Sequence, residues 1–294
     1  MKEAPIRHRL EFGLYRLVRG LLRLLPHPAA RPLGARLGDL AWWLLSSRRK
    51  VALKNLAIAF PDAAPAERRR MALGSFRHLG AALCDTLSAS RFDLVGLCRR
   101  VSFEGWEHLV EAQRRAGGMF VLSAHLGTWE IAAHVAGAWA GPLHVVGRPL
   151  DNPHLDRELE KVRQRFGNVM IAKRGAARGM LRALEKKALV GILIDQRVKP
   201  KEGIRVPFFG RESFTSPILA RMAIRTGRPV VPIFCFPEPG GRYRFVARPA
   251  IEPAGPEESE QAIAALTCRY LEATEAEIRR HPEQWMWMHD RFKD

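Results

Sequence analysis

The sequence predicts an α/β protein in which a largely parallel or mixed sheet is flanked by helices and preceded by a helical N-terminal region. From Val101 onward, short runs rich in β-branched and aromatic residues alternate with longer helical runs, which is typical of parallel sheets. Residues 1–100 contain only helix-favouring runs rich in alanine, leucine and arginine. The turn residues Pro239–Gly241 indicate a hairpin, so the last strands are expected to be antiparallel. With 294 residues, 47% of them hydrophobic, the chain can bury a sizeable core, which excludes a disordered or fibrous protein.

Seven strands and six helices account for the second part of the chain. We expect strands at Val101–Glu104, Met119–Ala124, Leu143–Gly147, Val169–Ala172, Val190–Ile194, Val230–Phe234 and Tyr243–Ala247. We expect helices at Trp106–Ala116, Thr128–Ala138, His154–Phe166, Ala176–Lys187, Ser216–Thr226 and Glu258–Arg280. We interpret residues 1–100 as a helical, membrane-associating region and residues 101–294 as the α/β domain, and we expect one continuous globule.

The N-terminal helix has the pattern of a helix that lies on a membrane surface. At about 100° per residue, five leucines fall on one stripe and four arginines on the opposite side. These are Leu10, Leu14, Leu17, Leu21 and Leu24, and Arg9, Arg16, Arg19 and Arg23. Packing of the stripe against the protein's own core is the alternative. No apolar run reaches the roughly 20 residues of a spanning helix, so a single-pass anchor is less favoured, and no cleavable signal peptide is evident.

The charge composition indicates an anionic partner. The chain has 48 basic and 30 acidic residues, a formal net charge of +18, and 38 of the basic residues are arginine. Arginine grips phosphate and carboxylate groups in bidentate fashion, so an acidic protein, a phosphorylated substrate, an anionic membrane or nucleic acid could be the partner. Nucleic acid is not expected, because basic and aromatic residues are not interleaved and no recognition motif occurs. The four scattered cysteines predict free thiols in a reducing compartment.

Charged side chains follow four of the predicted strands at the point where each strand ends. His125, Arg148, Lys173-Arg174 and Asp195-Gln196 leave strands in this way. In a parallel sheet the carboxyl ends meet at one edge, where ligands bind. We therefore expect one base, several cations and one carboxylate to gather on one rim, although each could also be an ordinary loop residue.

The spacing His125-x4-Glu130 suggests an acid–base pair. With His125 in the strand–helix turn and Glu130 in the first helical turns, the carboxylate could fold back onto the imidazole. Such a partner fixes the tautomer of the ring and raises its basicity, which prepares it to take a proton from a hydroxyl. A buried histidine capped by an acid is the alternative. A metal site would need a third ligand, for which His134 is a weak candidate, so we expect no metal.

Other catalytic motifs are missing from the sequence. Ser123 should share a face with His125, but no Gly-x-Ser-x-Gly elbow or oxyanion motif supports it as a nucleophile. No Walker sequence or Gly-x-Gly-x-x-Gly fingerprint is present, so nucleotide binding has no support. We therefore expect no cofactor.

A series of sequence blocks resembles the late acyltransferases of lipid A biosynthesis, of the lauroyl and myristoyl type. In chain order, the matching blocks are Arg48–Leu56 with Phe60-Pro61, Phe103–Glu107, His125–Glu130, Arg148–Pro153, Leu193–Gln196, Val206–Gly210 and Pro282–Trp287. The blocks are ordered along nearly the whole chain, which makes them far more specific than the His-x4-Glu spacing alone.

The resemblance implies a glycerolipid-acyltransferase-like fold and transfer of an acyl chain from acyl carrier protein. It implies that the acceptor is the hydroxyl of a 3-hydroxyacyl chain on a phosphorylated disaccharide lipid bearing Kdo, at the cytoplasmic face of the bacterial inner membrane. By position, His125 would be the general base and Glu130 its orienting partner. Arg148 and Arg174 would bind phosphate or carboxylate groups of the substrate, and Asp195 would shape the same rim.

Two departures from the family pattern and two alternatives remain. Thr128 stands where the family has asparagine, and the N-terminal apolar segment is shorter and more cationic than a typical anchor of the family. The acceptor could instead be another glycolipid, such as a mannosylated phosphoinositide. The chain could also be a non-catalytic lipid-binding relative that retains the fold.

Overall fold

A computed structural model describes residues 5–173, 175–255 and 258–293 of the chain. Five helices form the N-terminal region and precede the first strand. They are α1 (Ile6–Leu24), α2 (His27–Leu44), α3 (Ser46–Ala59), α4 (Pro65–Ala89) and the short α5 (Leu94–Cys98). No helix of the described ranges is long and apolar enough to cross a membrane.

A seven-stranded sheet is the centre of the molecule. Its strands are β1 (Val101–Glu104), β2 (Met119–Ser123), β3 (Leu143–Gly147), β4 (Val169–Ala172), β5 (Leu189–Leu193), β8 (Val230–Glu238) and β9 (Arg242–Ala247). Their spatial order is β1-β9-β8-β2-β5-β3-β4, and every neighbouring pair is parallel except β8 and β9. A separate hairpin of β6 (Ile204–Phe208) and β7 (Arg211–Thr215) lies outside this sheet.

Helices cover both faces of the sheet. They are α6 (Trp106–Ala116), α7 (Trp129–Ala140), α8 (Pro153–Arg163), α9 (Ala176–Glu185), α10 (Ile218–Thr226) and α11 (Glu260–Arg280). Alternate residues of β2 point into two different cores, as expected of a strand with period-two geometry. Met119 and Val121 pack with α6 and α7, whereas Phe120 and Leu122 pack with the core that includes α9, α10 and α11.

Two helices of the N-terminal region, α2 and α4, cross closely, and Tyr243 of β9 joins this crossing to the sheet. Gly34 of α2 faces Gly80 of α4, and a methyl group added at either position would collide with the backbone of the other helix. A buried polar cluster stands beside this crossing: Asp85 accepts hydrogen bonds from Arg31 at 2.9 Å and from the Tyr243 hydroxyl at 3.0 Å. The helices that carry the exposed apolar N-terminus therefore pack rigidly on the sheet domain.

The predicted fold class is confirmed, as are all seven strands and the antiparallel hairpin at Pro239–Gly241. The hairpin of β6 and β7 was not predicted. Its strands carry charged residues and a proline, and its two-residue turn places Phe209 as well as Gly210 at positive φ. Helix ends differ from the expected ones by a few residues. For example, α11 begins at Glu260 because the Ser259 hydroxyl caps it by accepting from Ala262 N at 3.1 Å.

Candidate active site

The turn that follows β2 is held on several sides by the rest of the protein. The C-terminal segment pairs with it: Met286 N donates to the His125 carbonyl at 3.2 Å, and Gly127 N donates to the Gln284 carbonyl at 3.1 Å. The ring of His78 in α4 donates through Nε2 to the Gly127 carbonyl at 2.9 Å. Burial lowers the pKa of His78 to about 4, so this ring is neutral. His125 thus projects from a loop whose backbone is fixed.

His125 is hydrogen-bonded to Asp195. The central strands β2 and β5 are parallel neighbours, and their register pairs Ser123 with Leu193. Two residues further along each strand, His125 Nδ1 lies 3.0 Å from Asp195 Oδ1. The other carboxylate oxygen accepts from His125 N at 3.0 Å and from Trp285 Nε1 at 2.8 Å. The carboxylate therefore receives three N–H groups, and Nδ1 is the ring nitrogen that carries the proton.

The pair shifts the pKa of both of its members. Burial alone would lower the pKa of His125, but the charge and hydrogen bond of Asp195, with a smaller effect of Glu130, outweigh it and raise that pKa above its ordinary value. Burial alone would raise the pKa of Asp195, but the charge of His125 and the hydrogen bonds from His125 and Trp285 lower it to about 2. Asp195 is thus an anion at every physiological pH, and His125 is a stronger base than a free imidazole.

The second ring nitrogen of His125 is available to a substrate. The amide nitrogen of Gln196 lies 3.3 Å from His125 Nε2, which fits a weak hydrogen bond donated to an unprotonated nitrogen. The His125 side chain keeps 20% of its surface exposed, whereas Asp195 keeps 1%. An incoming hydroxyl can therefore approach the His125 ring but not the carboxylate that orients it.

Glu130 does not contact His125 in the way the sequence predicted. The Arg163 guanidinium donates to both of its oxygens, from Nε at 3.0 Å and from Nη2 at 2.5 Å. Burial would raise the pKa of Glu130, but the hydrogen bonds and charge of Arg163 outweigh it and lower that pKa. Glu130 lies in the first turn of α7 and points toward α8, so its carboxylate faces Arg163. The orienting carboxylate of His125 is instead Asp195.

A narrow cavity of about 50 Å³ lies beneath this ion pair, between the sheet and α7. Most of its wall is apolar, and it is lined by Val121, Ala132, Ala133, Leu143, Val145, Ile192, Leu193 and Ile233, with Trp129, Glu130 and Arg163 at one side. Gly191 lies in the wall, and a Cβ there would come within 3.3 Å of Leu143. The Ser123 hydroxyl also lines the cavity, and among the described residues this buried oxygen has no hydrogen-bond partner.

The other predicted site residues have different surroundings. Arg148 is exposed and pairs with Asp151 at 2.7 Å. Lys173 pairs with Glu202 at 2.6 Å, and Arg174 lies outside the described residues. The His134 ring donates to the Val162 carbonyl at 2.9 Å. Within the part of the chain that the structure describes, no group of three or more histidine, cysteine or acidic residues could hold a metal ion.

Arg163 and Trp285 are members of the site that the sequence reasoning did not single out. Trp285 lies in one of the sequence blocks that resemble the family. The match of that block to the family pattern was the signal that could have identified Trp285. Arg163 lies in no such block. The sequence pattern of its helix predicts a solvent-exposed surface, so it did not indicate that Arg163 pairs with the buried Glu130. Thr128 anchors the turn, since its hydroxyl donates to the Cys235 carbonyl at 3.1 Å.

The sequence of the chain is similar to that of one family of acyltransferases. The family described as "Bacterial lipid A biosynthesis acyltransferase" matches residues 5–294. The chain belongs to this family. It is 30% identical to the "Lipid A biosynthesis lauroyltransferase" of Escherichia coli (strain K12) over 274 residues, which cover 92% of this chain and 87% of that protein. It is 31% identical to the "Lipid A biosynthesis palmitoleoyltransferase" of the same strain, with 92% and 86% covered.

A more distant similarity extends to a different glycolipid enzyme. The "Phosphatidylinositol mannoside acyltransferase" of Mycolicibacterium smegmatis (strain ATCC 700084 / mc(2)155) is 24% identical over 186 residues, which cover 61% of this chain and 58% of that protein. The two Escherichia coli enzymes match over a greater length and at higher identity.

The hydrogen bond between His125 and Asp195 should be detectable in the pKa of His125. In the wild-type protein, NMR of the ring should give a pKa above about 6.5, the ordinary value of histidine. Asp195→Asn removes the anion that raises it, so the pKa should fall below that of the wild type. Glu130→Gln is the matched control and should lower it less, because Glu130 acts only through its charge. An unchanged pKa in Asp195→Asn would contradict the pairing.

Gly127→Ala should destabilise the protein. Gly127 has a φ of +62°, and a Cβ there would collide with the Cys235 carbonyl oxygen. The left-handed conformation alone costs a non-glycine residue about 1–2 kcal/mol, and the collision adds to it. Chemical denaturation should therefore show a loss of at least about 2 kcal/mol in the free energy of unfolding. Gly227→Ala, also at positive φ in the left-handed region but with open space around its Cβ, is the control and should lose less.

Proposed function

We propose that this lipid A acyltransferase transfers a fatty acyl chain from acyl carrier protein to a 3-hydroxyacyl hydroxyl of a lipid A precursor that bears Kdo. The observation that carries the proposal is the geometry of His125. A histidine oriented by a buried carboxylate packs against Trp129, which lines a narrow apolar cavity. This is the arrangement that an acyl transfer to an alcohol requires: a base for the hydroxyl proton and a pocket for the chain.

In the proposed reaction, His125 is the general base. Its Nε2 takes the proton of the acceptor hydroxyl while the oxygen attacks the thioester carbonyl, which forms a C–O bond and a tetrahedral oxyanion. Collapse of this intermediate breaks the C–S bond, and the thiolate leaves with the proton that His125 returns to it. Asp195 is the positioning residue, since it holds the ring through Nδ1 and stabilises the imidazolium that forms.

In this proposal the Arg163 guanidinium and the start of α7 would stabilise the oxyanion. Glu130 holds the Arg163 guanidinium at the wall of the cavity, and the first N–H groups of α7 lie after the same turn that carries His125. The helix N-terminus supplies partial positive charge in a largely apolar setting, and the Arg163 guanidinium, whose charge Glu130 balances, supplies N–H donors. The Ser123 hydroxyl is a further donor in the cavity wall. We therefore assign Glu130 an indirect role, through Arg163, in place of the direct contact with His125.

The apolar cavity would hold the end of the donor's acyl chain, because a volume of about 50 Å³ has room for only a few carbon atoms. Gly191 opens the space between β5 and α7, and Leu143 narrows the same space. The Asn168 amide closes one end: its oxygen accepts from Leu143 N at 3.0 Å and its nitrogen donates to the Ala133 carbonyl at 3.0 Å. A chain that enters this cavity would therefore meet a fixed wall, and the position of that wall would set the preferred chain length.

The charge and the N-terminal helix support the proposed partners and location. A net charge of +18 complements an acidic carrier protein and a phosphorylated acceptor, for which Arg148 and Arg174 are candidate ligands. The leucine stripe of α1 is exposed to solvent, from 48% at Leu21 to 83% at Leu24. An exposed apolar stripe on a basic helix favours peripheral attachment at the cytoplasmic face of the inner membrane.

Two alternatives share parts of this argument. A mannosylated phosphoinositide could be the acceptor, but the relative that acts on such lipids matches a shorter part of the chain. A non-catalytic lipid-binding protein would not need the base, yet His125, Asp195 and Trp285 retain a complete hydrogen-bonded arrangement.

The acyl-transfer proposal is tested by mass spectrometry of the products. Purified protein, acyl-carrier-protein thioester and the Kdo-bearing precursor should yield an acceptor heavier by one acyl chain. His125→Ala should lower the rate by about 10³-fold or more, because the proton has no acceptor. His78→Gln is the control, since that ring supports the loop and touches no substrate, and it should retain far more activity. A folded wild-type enzyme that acylates only the phosphoinositide, or nothing, would refute the assignment.

The base role also fixes the sign of the pH dependence. Activity should rise with pH as His125 loses its proton, with a midpoint above about 6.5 because the pKa of His125 is raised. Asp195→Asn should reduce kcat by about 10³–10⁴-fold and move the remaining rise to lower pH. A rate profile with an unmoved midpoint in this variant would show that another group is the base.

Two substitutions in the cavity wall should shift the preferred length of the donor acyl chain in opposite directions. Gly191→Ala places a methyl group against Leu143 and should favour a shorter donor chain, whereas Leu143→Ala should favour a longer one. Two methylene groups that no longer fit correspond to about 1.6 kcal/mol, or roughly tenfold in kcat/KM for the longer donor. Competition between donors of different length measures the shift. Shifts of the same sign in both variants would contradict the cavity as the acyl site.

A further inference from the structure

Helix α1 exposes its apolar stripe and directs its arginines to one flank. Val18 and Leu22 attach the helix to α4, and Tyr15 and Arg19 face α8. Arg16 and Arg23 lie between this attached side and the exposed leucines. If the stripe enters a membrane, this flank lies at the depth of the lipid headgroups, since surface helices sink about 5–10 Å into the boundary region.

Two adjoining cavities open along this flank. The first, of about 480 Å³, is lined by Arg16, Arg19, Arg23 and Glu158 together with Phe12, Tyr15 and Gly20. The second, of about 330 Å³, is lined by Arg19, Arg23, Arg91, Lys161 and Arg165 together with Leu22, Leu87, Ser90 and Val162. Arg19 and Arg23 belong to both linings, so we treat the two cavities as one feature and call it the basic groove.

The positive charge of the basic groove is mostly not neutralised. Glu158 is shared by Arg19 and by Lys161, the latter at 2.7 Å. Among the described residues, no carboxylate pairs with Arg23, Arg91 or Arg165. Backbone carbonyls hold two of these: Arg91 donates to Leu25 O at 2.9 Å, and Arg165 donates to Phe92 O at 2.7 Å. Carbonyl partners hold a guanidinium in place without cancelling its charge. The positive charge of the basic groove therefore remains available to bind an anion.

We propose that the basic groove binds the phosphate of an anionic membrane lipid headgroup, at a site separate from His125. This inference rests on the proposed attachment of α1 to the membrane surface. Guanidinium groups bind phosphate in bidentate fashion, and each cation near an anionic membrane strengthens binding. The exposed leucine stripe beside the groove favours a lipid over an acidic protein, because it supplies the apolar contact that a lipid tail region needs.

The test compares variants of the full-length protein in sedimentation with phosphatidylcholine vesicles that contain or lack phosphatidylglycerol. Arg23→Gln/Arg165→Gln should weaken binding to the anionic vesicles by about 25-fold, from about fivefold for each charge. Arg114→Gln/Arg182→Gln removes the same charge from α6 and α9 and should bind almost as the wild type does. Arg23→Lys/Arg165→Lys should recover most of the binding, which separates loss of charge from loss of fold.

Several results would overturn the proposal. An equal loss in both glutamine variants would show diffuse surface charge in place of a site. Inorganic phosphate should displace the protein from vesicles more than chloride at equal ionic strength, and equal displacement would exclude phosphate recognition. Loss of binding to acidic carrier protein with vesicle binding unchanged would assign the groove to a protein. His125→Ala should bind vesicles as the wild type does, so this assay fails or succeeds independently of the acyl-transfer proposal.

Discussion

The buried hydrogen bond between His125 and Asp195 is the constraint on which the rest of the site depends. A carboxylate with 1% exposure would lose several kcal/mol of hydration without compensation, so it requires donors on both oxygens. The protein provides three, of which two come from His125 and one from Trp285. These donors lie on the loop after β2 and on the C-terminal segment. The hydrogen bonds that the ionised Asp195 carboxylate requires therefore join the loop after β2 to the C-terminal segment, although the two are distant in sequence.

The N-terminal helices support this pair from a distance. The Asn55 amide of α3 donates to the carbonyls of Trp287 at 2.8 Å and His289 at 2.7 Å, and the Ser75 hydroxyl of α4 donates to Trp285 O at 2.6 Å. The segment that carries the Trp285 indole is thus held by helices of the N-terminal region. Because the indole in turn holds Asp195, the helical region is part of the architecture of the candidate active site.

Sequence reasoning predicted the sheet more completely than the site. Runs of β-branched residues between helices are local signals, and they identified strands such as β2 and β5 with small errors at the ends. The convergence of His125 and Asp195 on one rim followed from the same topology. The partner of His125 did not, since Glu130 is close in sequence whereas Asp195 is 70 residues away. Only the register of two parallel strands and the direction of the first turn of α7 distinguish these carboxylates.

Helix α8 connects the two charged regions of the protein. Arg163 at its end faces inward to the Glu130 carboxylate, which is buried with a side-chain exposure of 12%. Lys161 of the same turn faces the basic groove, where α1 lies along the helix. The His134 ring fixes the intervening Val162 carbonyl at 2.9 Å, so the backbone of this turn has little freedom. A displacement of α1 that tilted α8 would therefore move the Arg163 guanidinium at the wall of the cavity. The proposed membrane contact of α1 and the proposed acyl site would thus be linked through one helical turn.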